Sequence, residues 1–127
     1  MAKAENEVIY LEDDYEKNYE GFDPNSPGSF IGLTLMQEEY LDQSILLASL
    51  IQDKFTNVLK RKNRGVKQAG FIVLHQTIMP SVLVETGFIT NKAEGAYLNS
   101  NKGQKDMATA IEKAILDYKN AIYQNVD

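Results

Sequence analysis

The longest regular pattern in the chain is an apolar repeat between residues 30 and 60. Apolar and small side chains recur there every three or four positions, and acidic or amide side chains stand between them. This spacing puts the apolar positions on one face of an α-helix, so it predicts a helix over about 30–60 that packs against a core. The repeating positions are Leu33, Met36, Tyr40, Leu41, Ser44, Leu47, Ala48, Ile51 and Phe55.

The segment before this helix is the clearest loop of the sequence. Residues 22–29, FDPNSPGS, combine two prolines, a glycine and small polar side chains, and have no periodic apolar face. Serine is a favoured N-cap residue, so we expect the long helix to begin just after Ser29.

The last third of the chain predicts two further helices. A short helix is expected over 92–98, a break over 99–103, and a longer helix over about 104–123. The apolar stripe of the longer helix consists of Met107, Ala110, Ile111, Ala114, Ile115, Tyr118 and Ile122.

Two short runs between the helices read as β-strands, at residues 71–75 and 81–85. Both are rich in β-branched residues and almost continuously apolar, as strands covered on both faces tend to be. The link of residues 76–80 is too short for a parallel crossover, so a pair would be antiparallel. Helices alternating with apolar strands predict an α/β layered fold, although two strands alone make a poor sheet and leave open edges.

Charge is distributed unevenly along the 127 residues, whose net charge is −5. Residues 1–23 contain eight acids and two lysines, a net charge of −6, whereas residues 24–127 sum to +1. The basic cluster at 60–64, KRKNR, is short and lacks interleaved aromatics, so we interpret it as a helix C-terminus and expect no nucleic-acid binding. The absence of cysteine excludes disulfides and thiolate metal sites. No apolar run is long enough to span a membrane, and no secretion signal is visible.

Glu85 is the candidate catalytic residue, because it places a carboxylate between an apolar run and a turn in MPSVLVETGFITN, residues 79–91. At the end of a buried strand, a carboxylate lies where open α/β folds keep their sites. A desolvated carboxylate there needs a cation or a set of hydrogen-bond donors. A purely structural role carries about the same weight as the catalytic one: Glu85 caps the following turn, or it pairs with Lys67 or Arg64.

The motifs of this region carry a family resemblance. Residues 63–74, NRGVKQAGFIVL, followed by MPSVLVETGFITN, resemble the C-terminal part of the zinc-dependent N-acetylmuramoyl-L-alanine amidases of type 3. The resemblance implies a peptidoglycan hydrolase of the periplasm or cell envelope that cleaves the amide between N-acetylmuramic acid and L-alanine. It also implies zinc held by two His and one Glu, with Glu85 as the general base toward water.

The zinc-ligand motifs of that family, a DPGHGG-like turn and an SIHAN-like strand, do not occur in this sequence. His75, the single histidine, ends the first predicted strand and is assigned no ligand role, because zinc normally takes at least three protein ligands. We therefore expect one partial amidase domain over 1–127, with no metal residue, no cofactor of its own and no activity by itself. Within it, 30–127 is the C-terminal half of the catalytic domain.

The acidic residues 1–29 resemble a regulatory insertion that, in some members of the family, covers the active site until an activator protein displaces it. The charges alone favour a solvated acidic face, whereas the resemblance implies that one of these acids is an inhibitory group. A second reading belongs to another class, a non-catalytic module that binds peptidoglycan or a protein on an amidase-like scaffold. In either case, open sheet edges would favour self-association.

Overall fold

The computed structural model describes residues 2–19, 22–74 and 77–124, with the backbone alone for Phe30, Leu33, Thr34, Met36 and Gln37. Six α-helices occur in this part of the chain: α1 (Ala2–Asn6), α2 (Tyr15–Asn18), α3 (Pro27–Gln37), α4 (Leu41–Asp53), α5 (Lys92–Leu98) and α6 (Asn101–Gln124). Shorter helical turns are the 3-10 segments Glu7–Leu11, Glu38–Tyr40 and Ile72–Leu74 and the π-helical Lys54–Val58. Within the described ranges, no helix is both long and apolar enough to cross a membrane.

The predicted helices are confirmed with shifted ends. α5 has the expected bounds of 92–98, and α6 contains the expected 104–123 but begins at Asn101. The earlier start is due to Ser100, whose hydroxyl oxygen accepts a hydrogen bond from the Gly103 N–H at 2.9 Å. A serine that satisfies a free amide of the first turn is the usual N-terminal cap.

The helix expected over 30–60 is formed by successive helical elements from Pro27 to Val58. Its predicted start after Ser29 is wrong, because Ser26 holds the N-cap position and Pro27 lies in the first turn. Proline suits that position, since its fixed φ is already helical and its missing N–H needs no partner. The helical stretch ends where Lys60 adopts a positive φ of 56° and the Arg61 N–H bonds to the Phe55 carbonyl at 2.9 Å.

The first of two compact units comprises residues 1–42 and 67–81. Its small apolar core contains the buried Ile9 and Ile72, with Tyr15, Tyr19 and Phe22 packed around them. Asn6 is 1% exposed, and its side chain donates to the Gly70 carbonyl at 2.8 Å and accepts from the Ile72 N–H at 2.9 Å. These two bonds attach the acidic N-terminal segment to residues 70–72.

The predicted α/β fold is wrong, since the described residues form helices and irregular segments but no strand. Of the predicted strand 71–75, residues 72–74 form a 3-10 turn closed by Leu74 N–H to Phe71 carbonyl at 3.1 Å, and His75 lies outside the described ranges. A strand needs a ladder partner for its backbone groups, and here the Asn6 side chain occupies the Ile72 N–H. The predicted strand 81–85 is irregular backbone. The described residues therefore have no open sheet edge, the feature from which self-association was expected.

The second unit comprises residues 43–66 and 82–127, described to Gln124. Its core is a cluster between α4, the π-helical turn and α6, formed by Ile51, Phe55, Met107, Ala110 and Ala114. Two polar contacts join the same elements at the surface: Lys54 to Asp117 at 2.6 Å, and the Tyr118 hydroxyl to Gln43 at 3.0 Å. The apolar stripe predicted for the last helix accounts for much of this core.

Residues 82–85 keep a strand-like alternation of burial without a strand. Val82 and Val84 are partly buried against the core of the second unit, whereas Leu83 and Glu85 are exposed. The expectation that this run is covered on both faces is therefore wrong. One face packs on the helices and the other carries Glu85 into solvent.

Candidate active site

Glu85 lies in the irregular segment between Pro80 and the turn at 88–91. Its side chain is exposed, and it forms no hydrogen bond or ion pair with any other described residue. Arg64, one of the partners considered above, bonds to Glu94 instead, at 2.7 Å. No described residue therefore competes with a molecule in solution for a proton or a hydrogen bond at the Glu85 carboxylate.

The peptide groups on either side of Gly87, shortly after Glu85, are held by hydrogen bonds to side chains from elsewhere in the chain. The Arg61 guanidinium donates from Nη2 to the Thr86 carbonyl at 3.1 Å. Two residues later, the Phe88 N–H donates to Oε2 of Glu94 at 2.6 Å. The backbone on the C-terminal side of Glu85 is thus fixed by a cation and by an anion.

Gly87 lies between these two contacts and has a φ of 147°, where only glycine is unstrained. A Cβ added there would stand 2.9 Å from Nη2 of Arg61 and 2.9 Å from Oε2 of Glu94. The absence of a side chain at this position therefore lets the cation and the carboxylate both approach the backbone.

We call Arg61, Arg64 and Glu94 the Arg–Glu cluster. Within it, Arg64 Nη2 lies 2.7 Å from Glu94 Oε1, and the Arg64 guanidinium also lies 4.9 Å from the centre of the Phe88 ring. Arg61 lies 4.7 Å from the centre of the Tyr97 ring. Contact with an aromatic face restrains the plane of a guanidinium and adds attraction to its charge.

Glu94 is the third residue of α5, whose N-cap is Asn91. The Asn91 side chain accepts from the N–H groups of Ala93 at 3.1 Å and Glu94 at 3.0 Å, so the position of Glu94 is set by a capped helix start. The hydrogen bond from Arg64 lowers the pKa of the Glu94 carboxyl below its ordinary 4.5, and the Phe88 N–H adds to the effect. Both donors favour the charged form.

The pH dependence of this turn follows from the lowered pKa of Glu94. The carboxylate stabilises the turn at pH values above the ordinary 4.5, and this stabilisation is lost as the pH falls through the lower pKa of the folded state. We expect the amide proton shift of Phe88 to titrate with a midpoint below 4.5. Two-dimensional NMR of the 127-residue chain measures it.

Two variants control this measurement. Arg64→Ala should raise the Glu94 midpoint toward the ordinary value, since it removes the largest cause of the shift. Glu94→Gln should abolish the titration of the Phe88 signal. A wild-type midpoint at or above 4.5 would show that the cluster does not favour the ionised carboxylate.

Sequence reasoning selected Glu85 and missed the Arg–Glu cluster. The basic residues 60–64 follow the end of the helical stretch at Val58, as expected of cations at a helix C-terminus. The sequence did not indicate that Arg61 also binds the Thr86 carbonyl or that Arg64 binds Glu94. The available signal was the spacing of Asn91 and Glu94, three residues apart as in a capping box. It marks a helix start with a carboxylate near it, but it does not reveal which backbone amide that carboxylate binds.

The side chains of the described residues do not provide a zinc site. Zinc in proteins takes three or four ligands, and the described ranges bring together no group of three or more His, Cys, Asp and Glu that could hold a metal ion. The described residues do not by themselves fit a zinc ion, so none is assigned as a ligand.

Comparison with known proteins gives consistent matches. The profile of a family described as N-acetylmuramoyl-L-alanine amidase matches residues 6–117. The chain is 38% identical over 102 residues to an uncharacterized cell wall amidase of Bacillus anthracis, covering 77% of this chain and 19% of that protein. It is 39% identical over 84 residues to the N-acetylmuramoyl-L-alanine amidase AmiA of Escherichia coli strain K12, covering 66% and 29%.

A third relative is the uncharacterized protein YqiI of Bacillus subtilis strain 168, 41% identical over 86 residues, covering 67% of this chain and 42% of that protein. The chain thus spans less than half the length of each of these three relatives. No solved structure matches it.

Proposed function

This chain belongs to the N-acetylmuramoyl-L-alanine amidase family, and we propose that it forms part of a hydrolase that cleaves the amide between N-acetylmuramic acid and L-alanine in peptidoglycan. The observation that carries the proposal is the family match over residues 6–117, which includes Glu85 and the turn behind it. The resemblance expected from the RGVK and GFITN motifs is confirmed by this match. The site of action would be the periplasm or cell envelope, where the substrate lies.

In this proposal Glu85 is the general base. Its carboxylate takes a proton from the attacking water as the water oxygen bonds to the amide carbonyl carbon, and that proton is then available to the leaving amine nitrogen. The exposed side chain, free of partners among the described residues, supports the assignment, as does the anchored backbone around it. A base must be both unengaged and well placed, since proton transfer requires hydrogen-bond distance.

Zinc remains part of the proposal for the complete domain only. When bound, it would supply polarisation of the water and of the amide carbonyl. The side chains that would hold it are expected outside the described residues, in line with the lack of the two histidine motifs in the sequence.

We also propose that the acidic residues 1–29 act as a regulatory segment on which an activator protein works. The contacts of Asn6 with Gly70 and Ile72 support a specific resting position for the first part of this segment. Its net negative charge would suit an activator with a basic surface.

The function is tested by incubating purified muropeptides with the natural polypeptide that carries this sequence and, separately, with the 127-residue chain. We expect the natural polypeptide to release the stem peptide. The 127-residue chain, with added zinc, should release none. If the 127-residue chain cleaves muropeptides and Glu85→Gln abolishes this activity, the proposal that the chain is inactive by itself is wrong.

A binding experiment with the 127-residue chain distinguishes the hydrolase from the non-catalytic binding module. Muropeptides are titrated without metal into the isotopically labelled chain, and the amide shifts around Glu85 are followed. Saturable shifts in this region, together with an inactive natural polypeptide, would replace the hydrolase proposal by that of a non-catalytic module.

A further inference from the structure

We propose that Arg64 and Glu94, assisted by Arg61, are positioning residues that fix the direction in which the Glu85 carboxylate points. This inference rests on the proposed role of Glu85 as the base. It assigns a role in the reaction to residues that have no contact with Glu85 itself, and it follows from the way in which the backbone next to Glu85 is held.

The C-terminal side of Glu85 is restrained at successive residues. The carbonyl of Thr86 is bound by Arg61 at 3.1 Å, and the N–H of Phe88 is bound by Glu94 at 2.6 Å. Between them, the backbone of Gly87 adopts a conformation that suits glycine. Rotation of the peptide groups after Glu85 would therefore break at least one charge-assisted hydrogen bond.

The N-terminal side of Glu85 is restrained by packing. Val84 and Val82 are partly buried against the core that contains Ile51 and Phe55. Because the Glu85 side chain has no partner of its own among the described residues, the direction of its Cα–Cβ bond is set by these two neighbouring restraints. Loss of either one would let the carboxylate sample a wider range of positions.

Arg64 contributes through geometry as well as charge. It bonds to Glu94 at 2.7 Å and lies against the Phe88 ring at 4.9 Å, so it fixes both the carboxylate and the residue whose N–H that carboxylate binds. A lysine would keep the positive charge but lose the planar fork and the stacking. We therefore expect Arg64→Lys to behave more like Arg64→Ala than like the wild type.

The test uses the natural polypeptide and compares kcat and KM for muropeptide cleavage. Glu94→Ala and Arg64→Ala are expected to lower kcat about 10- to 100-fold, the range typical of a misplaced catalytic group, with KM changed less than about twofold. Glu94→Gln should recover part of the loss, because its amide oxygen can still accept from the Phe88 N–H. Across the variants, a larger loss of hydrogen-exchange protection at the Phe88 backbone amide should accompany a larger loss of kcat.

The matched control is Asp117→Ala, which breaks the 2.6 Å ion pair with Lys54 in the same unit but away from the turn. It should leave kcat unchanged. An equal fall of kcat in Asp117→Ala would show that the effect is general destabilisation and would overturn the inference. The inference would also be overturned if Glu94→Ala and Arg64→Ala left kcat unchanged while Glu85→Gln abolished turnover. If Glu85→Gln retains full turnover, Glu85 is not the base and the premise of this inference fails. If the wild-type natural polypeptide releases no stem peptide, the proposed function itself fails.

Discussion

Replacement of Glu85 by Gln in the natural polypeptide is expected to lower kcat for muropeptide cleavage about 10²- to 10⁴-fold, the usual contribution of general base catalysis. The amide has the size of the carboxylate but cannot take the water's proton. Because Glu85 is exposed and unpaired among the described residues, the free energy of unfolding should change by no more than about 0.5 kcal/mol. A loss of rate without loss of stability is the signature of a chemical role.

The control for this substitution is Glu112→Gln. Glu112 is an exposed glutamate of α6 that has no hydrogen bond or ion pair with other described residues. The Glu112→Gln substitution removes the same negative charge, but at a position outside the segment that contains Glu85. Both variants should melt at the wild-type temperature, and Glu112→Gln should keep wild-type kcat. Comparable kcat values for the two variants would refute the assignment of the base.

The second large effect is expected for Gly103→Ala, which should lower the free energy of unfolding by about 1–3 kcal/mol, the usual cost of overpacking. A Cβ at this position of α6 would stand only 1.9 Å from the backbone oxygen of Tyr97 and 3.0 Å from the Ser100 hydroxyl. The Tyr97 oxygen belongs to α5 and accepts from the Ser100 hydroxyl at 2.7 Å. Relief of the clash therefore has to move backbone and disturb the cap of α6.

Gly32→Ala is the matched control for this prediction. Gly32 lies inside α3, and a Cβ there would meet nothing within 4 Å. Alanine is favoured over glycine in a helix, so this variant should be more stable by about 0.5–1 kcal/mol. Urea denaturation of the 127-residue chain, followed by circular dichroism, compares the two. Changes of the same sign would contradict the close approach of α5 and α6.

The helices were predictable because their signals are local. The apolar stripe from Met107 to Ile122 and the Asn91 cap are each contained in one stretch of sequence, and the structure has α5 and α6 there. The errors at the helix starts have two causes. Pro27, whose φ suits the first turn, lets α3 begin before Ser29, and the cap by Ser100 lets α6 begin at Asn101 instead of Gln104. Such errors shift an end by one turn and leave the element in place.

The strands were not predictable in the same way, since a strand depends on a partner elsewhere in the chain. Val82 and Val84 are apolar because they cover the helical core, not because they lie inside a sheet. Ile72 is apolar because it is buried beside Ile9. Composition alone cannot distinguish these burials from pairing in a sheet.

In the candidate site, too, the part with a local signal was predictable and the part that depends on distant contacts was not. Glu85 was selected from its own neighbours in the sequence and from the family resemblance. The cluster behind it joins Arg64 to Glu94, which are 30 residues apart, and Arg61 to Thr86, which are 25 apart. Contacts of this range depend on the fold of the second unit, which the sequence pattern did not specify.

The alternation of burial at residues 82–85 determines which changes of length this segment tolerates. Substitution at the exposed Leu83 leaves Val82 and Val84 on the core and Glu85 in solvent. Insertion or deletion of a single residue between Val82 and Glu85 would exchange the two faces, as a register slip does in a strand. The carboxylate would then face the hydrocarbon around Ile51 and Phe55 without a partner, a burial that costs far more than the loss of a valine contact.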